Sequence, residues 1–458
     1  MFEQIKRIWA TPELHKRIVF TLACLAACRI GTFIPVPGIN SELALNFIRY
    51  ATGGGQNIFQ LVDVFSGGAF AKMTIFALGV MPYISASILL QMGMIAFPGL
   101  QREMRENPEQ GKRKVNRLTR YLAVGLAIFQ SLFFAREVLS FNNSRPGIIF
   151  DPMLESEIFG TPWLFFATTA ICMTAGTMIL MWIGEQISEK GIGNGVSLII
   201  GLGIVSSLPG TIGSMLQQVN LDSQEIGELT FSSLVVLCGV FVAIIVGTIL
   251  IIQGQRKIPL QYARRTIGRR ESETAAAHIP LKVNYAGVVP VIMASTFLML
   301  PATIAWFAGQ GTWLGSLAVA LSPGSGVYTT LFVLLIVFFT YFWTGISFHP
   351  DQIASDLKKN GAFVPGIRQG HPTEEYLSST MSRVTLIGAG SLALIAILPT
   401  LVATVLGVDP TISQFFGGTS LLIVVGVVLD TMKQIESHLV MQRYDGFMRG
   451  PGRPRLLS

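Results

Sequence analysis

Few side chains in this sequence are placed to make or break a bond. The four cysteines, Cys24, Cys28, Cys172 and Cys238, all fall within apolar runs, so no disulfide framework is implied. Cys24 and Cys28 share a helix face, but with no histidine or carboxylate nearby they read as packing rather than as a metal pair. Ionisable residues inside the apolar runs are few; Arg29 lies in the first run and Asp430 near the end of the last. A proton or sodium relay needs a chain of buried carboxylates, and none is written here. There is no H-E-x-x-H, no Walker A and no G-x-S-x-G. Gly418-Thr419-Ser420-Leu421 has the outline of an intramembrane serine-protease motif, yet no histidine lies on a neighbouring apolar run. Gly191-Ile192-Gly193-Asn194-Gly195 leaves a dinucleotide fingerprint incomplete. Neither a membrane enzyme, a metal site nor a bound cofactor is expected.

Charge is dense elsewhere. Residues 253–285 carry Arg256, Lys257, Arg264, Arg265, Arg269, Arg270 and Lys282, and residues 347–383 carry LKKNGAFVPGIRQG. Loops this long and basic suit a polyanion or a large protein partner, and ribosomal RNA fits that chemistry. The basic stretch 98–120 is equally well explained by topology and anionic lipid.

These residues must be held by apolar elements. The 458-residue chain is 51% hydrophobic and only 13% charged, with a mean hydropathy of +0.56. A soluble domain carries about 25% charged residues. Half that charge cannot coat a water-facing surface, and the chain is too apolar for disorder. A multi-span membrane protein remains. Apolar segments of spanning length lie at about 18–36, 74–97, 121–139, 162–183, 196–217, 233–252, 286–307, 327–346, 384–406 and 417–434. The fifth is broken by Pro209 and the tenth by Gly426. Residues 1–17 show no cleavable signal pattern, so the first span is expected to act as its own insertion signal.

Ten spans put alternate connections on one side of the membrane together with both termini. That side holds all 33 basic residues except Arg29, Arg49, Lys72, Arg136 and Arg145. The positive-inside rule makes it cytoplasmic. An odd span count would scramble the alternation, which supports ten.

Residues 57–73 differ from the spans. Ile58, Leu61, Val62 and Phe65 follow amphipathic helical spacing, and Gly67-Gly68 ends the run. Too short to span, the segment reads either as an interfacial helix lying on the bilayer or as a re-entrant helix filling a cavity.

An internal repeat links the second and seventh segments. Gly79-Val80-Met81-Pro82-Tyr83-Ile84-Ser85-Ala86-Ser87 matches Gly287-Val288-Val289-Pro290-Val291-Ile292-Met293-Ala294-Ser295 at six of nine positions. The copies lie five segments apart in the order, with four spans between, so they cross in opposite directions, as in an inverted repeat. The expected fold is all-α and polytopic: ten transmembrane helices in two inverted five-helix halves, 1–217 and 218–458, with a short helix at about 58–72.

Seven ordered stretches resemble the SecY family, the pore-forming subunits of the bacterial protein-conducting channel. They are RIGTFIPVPG (29–38), FSGGAFAKMTIFALGVMPYISASILLQ (65–91), GTMILMWIGEQISEKGIGNGVSLII (176–200), GQRKIP (254–259), HIPLKVNYAGVVP (278–290), LKKNGAFVPGIRQG (357–370) and FGGTSLLIVVGVVLD (416–430). The resemblance implies a clamshell around a pore narrowed by aliphatic side chains. By motif these are Val80, Ile84, Ile200, Ile292 and Ile423, with Leu421 as a further candidate. An apolar collar dewets and blocks ions, yet makes no strong bond to a passing chain. Val80 is smaller than the isoleucine expected there. The resemblance also makes the helix at 58–72 a plug, with Leu61, Val62, Phe65, Gly67 and Gly68 in it. It places a lateral gate between segments 2 and 3 and segments 7 and 8, with Ser85, Gln130 and Ser295 as polar gate residues. Arg256, Lys257 and Arg368 fall in motifs that contact a SecA-type motor ATPase or the ribosome. His349-Pro350 departs from the Asn-Pro expected.

The function implied is a passive channel for unfolded preproteins, with lateral release of transmembrane segments into lipid. SecE-like and SecG-like small subunits are the implied partners, and no cofactor is implied. The implied location is the bacterial cytoplasmic (inner) membrane, with both termini cytoplasmic; a thylakoid membrane fits the same pattern. A secondary transporter for a small solute also suits an inverted repeat, but lacks its core carboxylates. An insertase or scaffold with no open pore is a third, minor reading.

Overall fold

Backbone amides that face lipid must be satisfied within their own segment, which leaves helices as the structure of the apolar runs. The protein is seen here as a computed structural model that describes residues 12–45, 58–96, 99, 106–144, 146–154, 157–158, 161–218, 231–262, 277–307, 316, 320–321, 325–406 and 419–448. Its main helices are α1 (Pro12–Gly31), α2 (Ile58–Ser66), α3 (Met81–Ala96), α4 (Pro108–Ser144), α5 (Trp163–Lys190), α6 (Gly195–Gln218), α7 (Phe231–Gln253), α8 (Val289–Phe307), α9 (Gly326–Ser347), α10 (Pro350–Lys359), α11 (His371–Leu406) and α12 (Thr419–Met448). Among the described residues, six stretches are long and apolar enough to cross a membrane: Glu109–Asn143, Trp163–Lys190, Gly195–Gly213, Val235–Gln253, Gly326–Lys359 and His371–Pro399. This is a mostly helical, multi-pass membrane protein.

Helix ends depart from the apolar segments in informative ways. α6 runs through Pro209 and α12 through Gly426. Gly426 lies against Val288, and a Cβ there would stand 2.6 Å from the valine Cγ2. Its lack of a side chain therefore serves close packing, not a break. α1 stops at Gly31, and α3 starts only at Met81. The chain between them is used for other contacts. Val36 N donates to the Met73 carbonyl and Ile75 N to the Ile34 carbonyl, making an isolated antiparallel bridge at Pro35 and Thr74.

Gly79 and Gly287 occupy matching places in the sequence repeat and both have positive φ, 57° and 61°. α3 and α8 then begin at the matching residues Met81 and Val289. Pro82 and Pro290 follow within the first turn, where a missing N–H costs no helical bond. The repeat is thus one of backbone conformation as well as of letters.

The chain forms two compact units, Met1–Gln217 with Val427–Ser458, and Gln218–Gly426. In the first, α4 packs on α3 and α5, and α1 on α5. The turn from α5 to α6 closes without side chains between: a Cβ on Gly195 would overlap the Gly184 carbonyl. Its amides are capped from three sides. Ile192 N donates to Thr21 Oγ1 (3.1 Å), Gly193 N to Gln434 Oε1 (2.8 Å) and Gly195 N to Ser188 Oγ (2.9 Å). The glycine-rich GIGNG stretch is therefore a helix junction.

In the second unit, α9 packs on α8 and α11, α7 on α11, and α10 on α11. The long connections fold together instead of projecting separately. Strand β1 (Gln255–Tyr262) pairs antiparallel with β2 (Ala277–Lys282) and with β3 (Ala362–Phe363), in the order β2-β1-β3. Ile258, Leu281, Phe348, Val364, Leu377 and Met381 form a small buried core beneath them. This sheet was not expected from an all-helical reading. In β2 exposed residues alternate with half-buried or buried ones.

Candidate functional site

The site is built around α2. Its C-terminus carries the two bonds of a Schellman cap: Gly68 N donates to the Asp63 carbonyl (2.9 Å) and Gly67 N to the Val64 carbonyl (3.2 Å). That geometry requires a left-handed residue after the last turn, and Gly67 supplies it with φ 68°. The expected helix at 58–72 therefore ends at Ser66. The chain beyond folds back on it, with Ala71 N donating to Asp63 Oδ1 (2.7 Å) and Phe70 N to Ser66 Oγ (3.1 Å). Val62, Phe65 and Gly67 are buried, Gly68 is half-buried, and Leu61 lies within the helix. The Phe70 ring meets Phe134 of α4 edge-on, at 5.2 Å between centroids.

α2 is seated on α1 and α6. Arg29 Nη1 donates to the Gly67 carbonyl at 2.7 Å. Gly67 also meets Gly203 of α6, backbone against backbone. Beneath the seat lies a cavity of about 30 Å³, lined by Arg29, Phe65, Ser66, Val80, Ile199 and Ser206 among others. Arg29 Cζ lies 5.2 Å from the Phe33 ring centroid, and Lys72 Nζ lies 4.4 Å from it.

Of the five positions expected in a collar, Val80, Ile84 and Ile200 belong to the first unit and Ile292 and Ile423 to the second. Val80, Ile200, Ile292 and Ile423 are buried, and Ile84 and Leu421 are half-buried. Val80 faces the cavity beneath α2, so its smaller side chain borders that space.

Of the residues expected at a polar gate, Ser85 and Ser295 are buried and Gln130 is half-buried. Ser295 Oγ donates to the Ile292 carbonyl of its own helix (2.9 Å). α3 packs on α4, and α8 on α9, each pair within its unit. On α3, Gln91 Nε2 donates to Ser87 Oγ (3.1 Å), and Gln91 Oε1 is buried with no partner among the described residues. Sequence reasoning passed over this pair, although the repeat had aligned Ser87 with Ser295. It also passed over the acceptor of Arg29. A lone arginine in an apolar span was the available signal.

Arg256 and Lys257 are exposed on β1, paired with Leu281 and Pro280 of β2. Arg368 is exposed in the turn between Gly366 (φ 82°) and Gly370 (φ 99°), and its carbonyl accepts from Thr373 Oγ1 at 2.8 Å. All three therefore project from the same small folded body above the shared core. Arg264, Arg265, Arg269, Arg270, Gly418 and residues 449–458 lie outside the described residues.

The chain is similar to known proteins over most of its length. The protein translocase subunit SecY of Chlamydia trachomatis serovar D is 55% identical over 454 residues, covering 98% of this chain and 99% of that one. One similar solved structure concerns the plug domain of SecY, which stabilises the closed state of the translocation channel and maintains a membrane seal. It has a TM-score of 0.60 and 18% identity, and the match covers 93% of this chain and 92% of that chain. Another is Sec61 in the canine ribosome–channel complex from the endoplasmic reticulum, with a TM-score of 0.59, 18% identity and 93% coverage of each chain. The SecY family matches residues 74–432. With that match over most of its length and a relative more than half identical end to end, the chain belongs to the SecY family.

Proposed function

We propose that the chain is the protein-conducting subunit of a translocase. It passes unfolded preproteins across the membrane and releases transmembrane segments sideways into the bilayer. The observation that carries this reading is the seat of α2. A short apolar helix rests on glycine 203 of α6 over a small cavity bordered by Val80. Such a closure suits a conduit that must be tight at rest and indifferent to the sequence that passes, because aliphatic walls dewet and form no strong bonds.

In this reading the chain has ten spans in two inverted halves, 1–217 and 218–458, with both termini cytoplasmic in a bacterial inner membrane. The collar is Val80, Ile84, Ile200, Ile292 and Ile423. The gate residues are Ser85, Gln130 and Ser295, whose weak polarity lets the seam open to lipid at modest cost. A signal helix bound there supplies the differential affinity that shifts closed to open. The channel is not itself an enzyme and binds no cofactor. A SecA-type ATPase or a ribosome drives it, docking on Arg256, Lys257 and Arg368. SecE-like and SecG-like subunits complete the complex.

Reconstitution tests the proposal. Proteoliposomes holding the complex and the motor should import a signal-bearing preprotein. Exchange of a small solute, with preprotein ignored, would replace the channel with a transporter.

A further inference from the structure

A charged side chain within an apolar span is costly unless it is bonded, and it marks function more often than packing. Arg29 stands in the last turn of α1, where the negative end of the helix dipole favours a cation. Among the described residues no carboxylate forms an ion pair with it. Its guanidinium instead reaches 38 residues along the chain to the Gly67 carbonyl, at 2.7 Å. Gly67 is the residue whose left-handed conformation ends α2. The bond therefore holds the one point at which α2 and its following turn are joined.

A second contact reinforces the first. Phe33, just past α1, lies under both Arg29 and Lys72, and Lys72 belongs to the turn after α2. Both cations are thus tied to one ring that spans the junction. On the far side Gly67 is pressed against Gly203. α2 cannot leave α6 without moving the Gly67 carbonyl away from Arg29.

We propose that Arg29 is the latch of the plug: its hydrogen bond to the Gly67 carbonyl sets how often the channel opens spontaneously. The proposal rests on the reading of α2 as a plug. A charge-assisted bond is about twice as strong as a neutral one, which makes this contact the strongest single restraint on the seat among the bonds described. Opening exchanges it for water.

The test uses the full chain in its translocase complex, in planar bilayers without preprotein. Arg29→Gln, Arg29→Lys, a deletion of residues 58–68, and the deletion combined with Arg29→Gln are compared. Arg29→Gln should raise resting ion leak about tenfold, the loss expected for a bond to a charged donor. Arg29→Lys keeps the charge and one donor, so it should leak less than Arg29→Gln and fold if the glutamine variant does not. The deletion should leak strongly, and adding Arg29→Gln to it should change nothing further. If the deletion leaks and both Arg29 variants are silent, the latch is refuted while the plug stands. If the deletion does not leak, the plug reading fails and the latch with it. If Arg29→Gln adds leak on top of the deletion, Arg29 acts elsewhere and the latch is refuted.

Discussion

Gly67 and Gly203 touch through their backbones: a Cβ on Gly67 would stand 2.9 Å from the Gly203 Cα, and a Cβ on Gly203 would stand 2.9 Å from the Phe65 carbonyl oxygen. Neither position has room for a methyl group. Gly203→Ala should therefore lift the end of α2 from α6. Overpacking of this kind costs about 1–3 kcal/mol. Resting ion leak in planar bilayers should rise several-fold, with a lowered melting temperature. Unchanged leak together with unchanged melting would show that the seat yields freely.

Replacing Ile84 and Ile292 with asparagine tests the collar. An amide wets an apolar constriction, so the double variant should raise resting conductance while the complex still assembles. Conductance equal to that of the wild-type chain would remove both residues from the collar.

Arg368→Glu addresses the docking surface. The side chain is exposed and its turn is held by backbone glycines, so charge reversal should leave folding intact. Motor-driven import should fall about tenfold or more if Arg368 pairs with an acidic group of the motor, since placing like charges together in an interface costs several kcal/mol. Full import would free Arg368 of the role.

Asn142 Oδ1 accepts from the backbone N–H groups of Gly147, Ile148 and Ile149, at 3.2, 3.0 and 3.1 Å. Ile148 and Ile149 also reach back to the segment after α1, through Asn40 N to the Ile148 carbonyl and the Ile39–Ile149 bridge. Asn142→Ala orphans buried donors, at about 1–3 kcal/mol. Asn142→Asp keeps an acceptor and should lose less. Thermal unfolding in detergent would rank the two; equal melting would deny the side chain its anchoring part.

Gly176→Ala should be the most damaging of these changes. A Cβ there would overlap the Ile75 carbonyl, which is backbone and cannot rotate away. Loss of assembled complex on purification is the expected outcome; a normal yield would mean that residues 74–76 can shift.

The apolar segments were legible because spanning length and missing charge are properties of letters in order. The stop at Gly67-Gly68 was legible, since a Schellman cap asks for glycine there, although the resemblance carries the helix on to 72 and it ends at Ser66. The repeat at Gly79 and Gly287 was legible too, and the two glycines turned out to share one left-handed backbone. Less legible were the late start of α3 and the sheet of β1, β2 and β3. The 67–80 stretch is apolar enough for a helix. It is held out of one by bonds to Ile34 and Val36, distant in sequence, and to the nearby Asp63 carboxylate.

Sequence by itself determined that this is a multi-pass membrane protein carrying a repeat at residues 79–87 and 287–295, because burial in lipid constrains composition directly and a repeat is a property of letters in order. Only the tertiary structure decided that Arg29 meets the Gly67 carbonyl, that the GIGNG stretch is a capped junction, and that two basic loops share one core. Each of those depends on which residues, far apart along the chain, arrive at the same place. A hydrogen bond to a backbone carbonyl leaves no trace in the identity of the residue that accepts it.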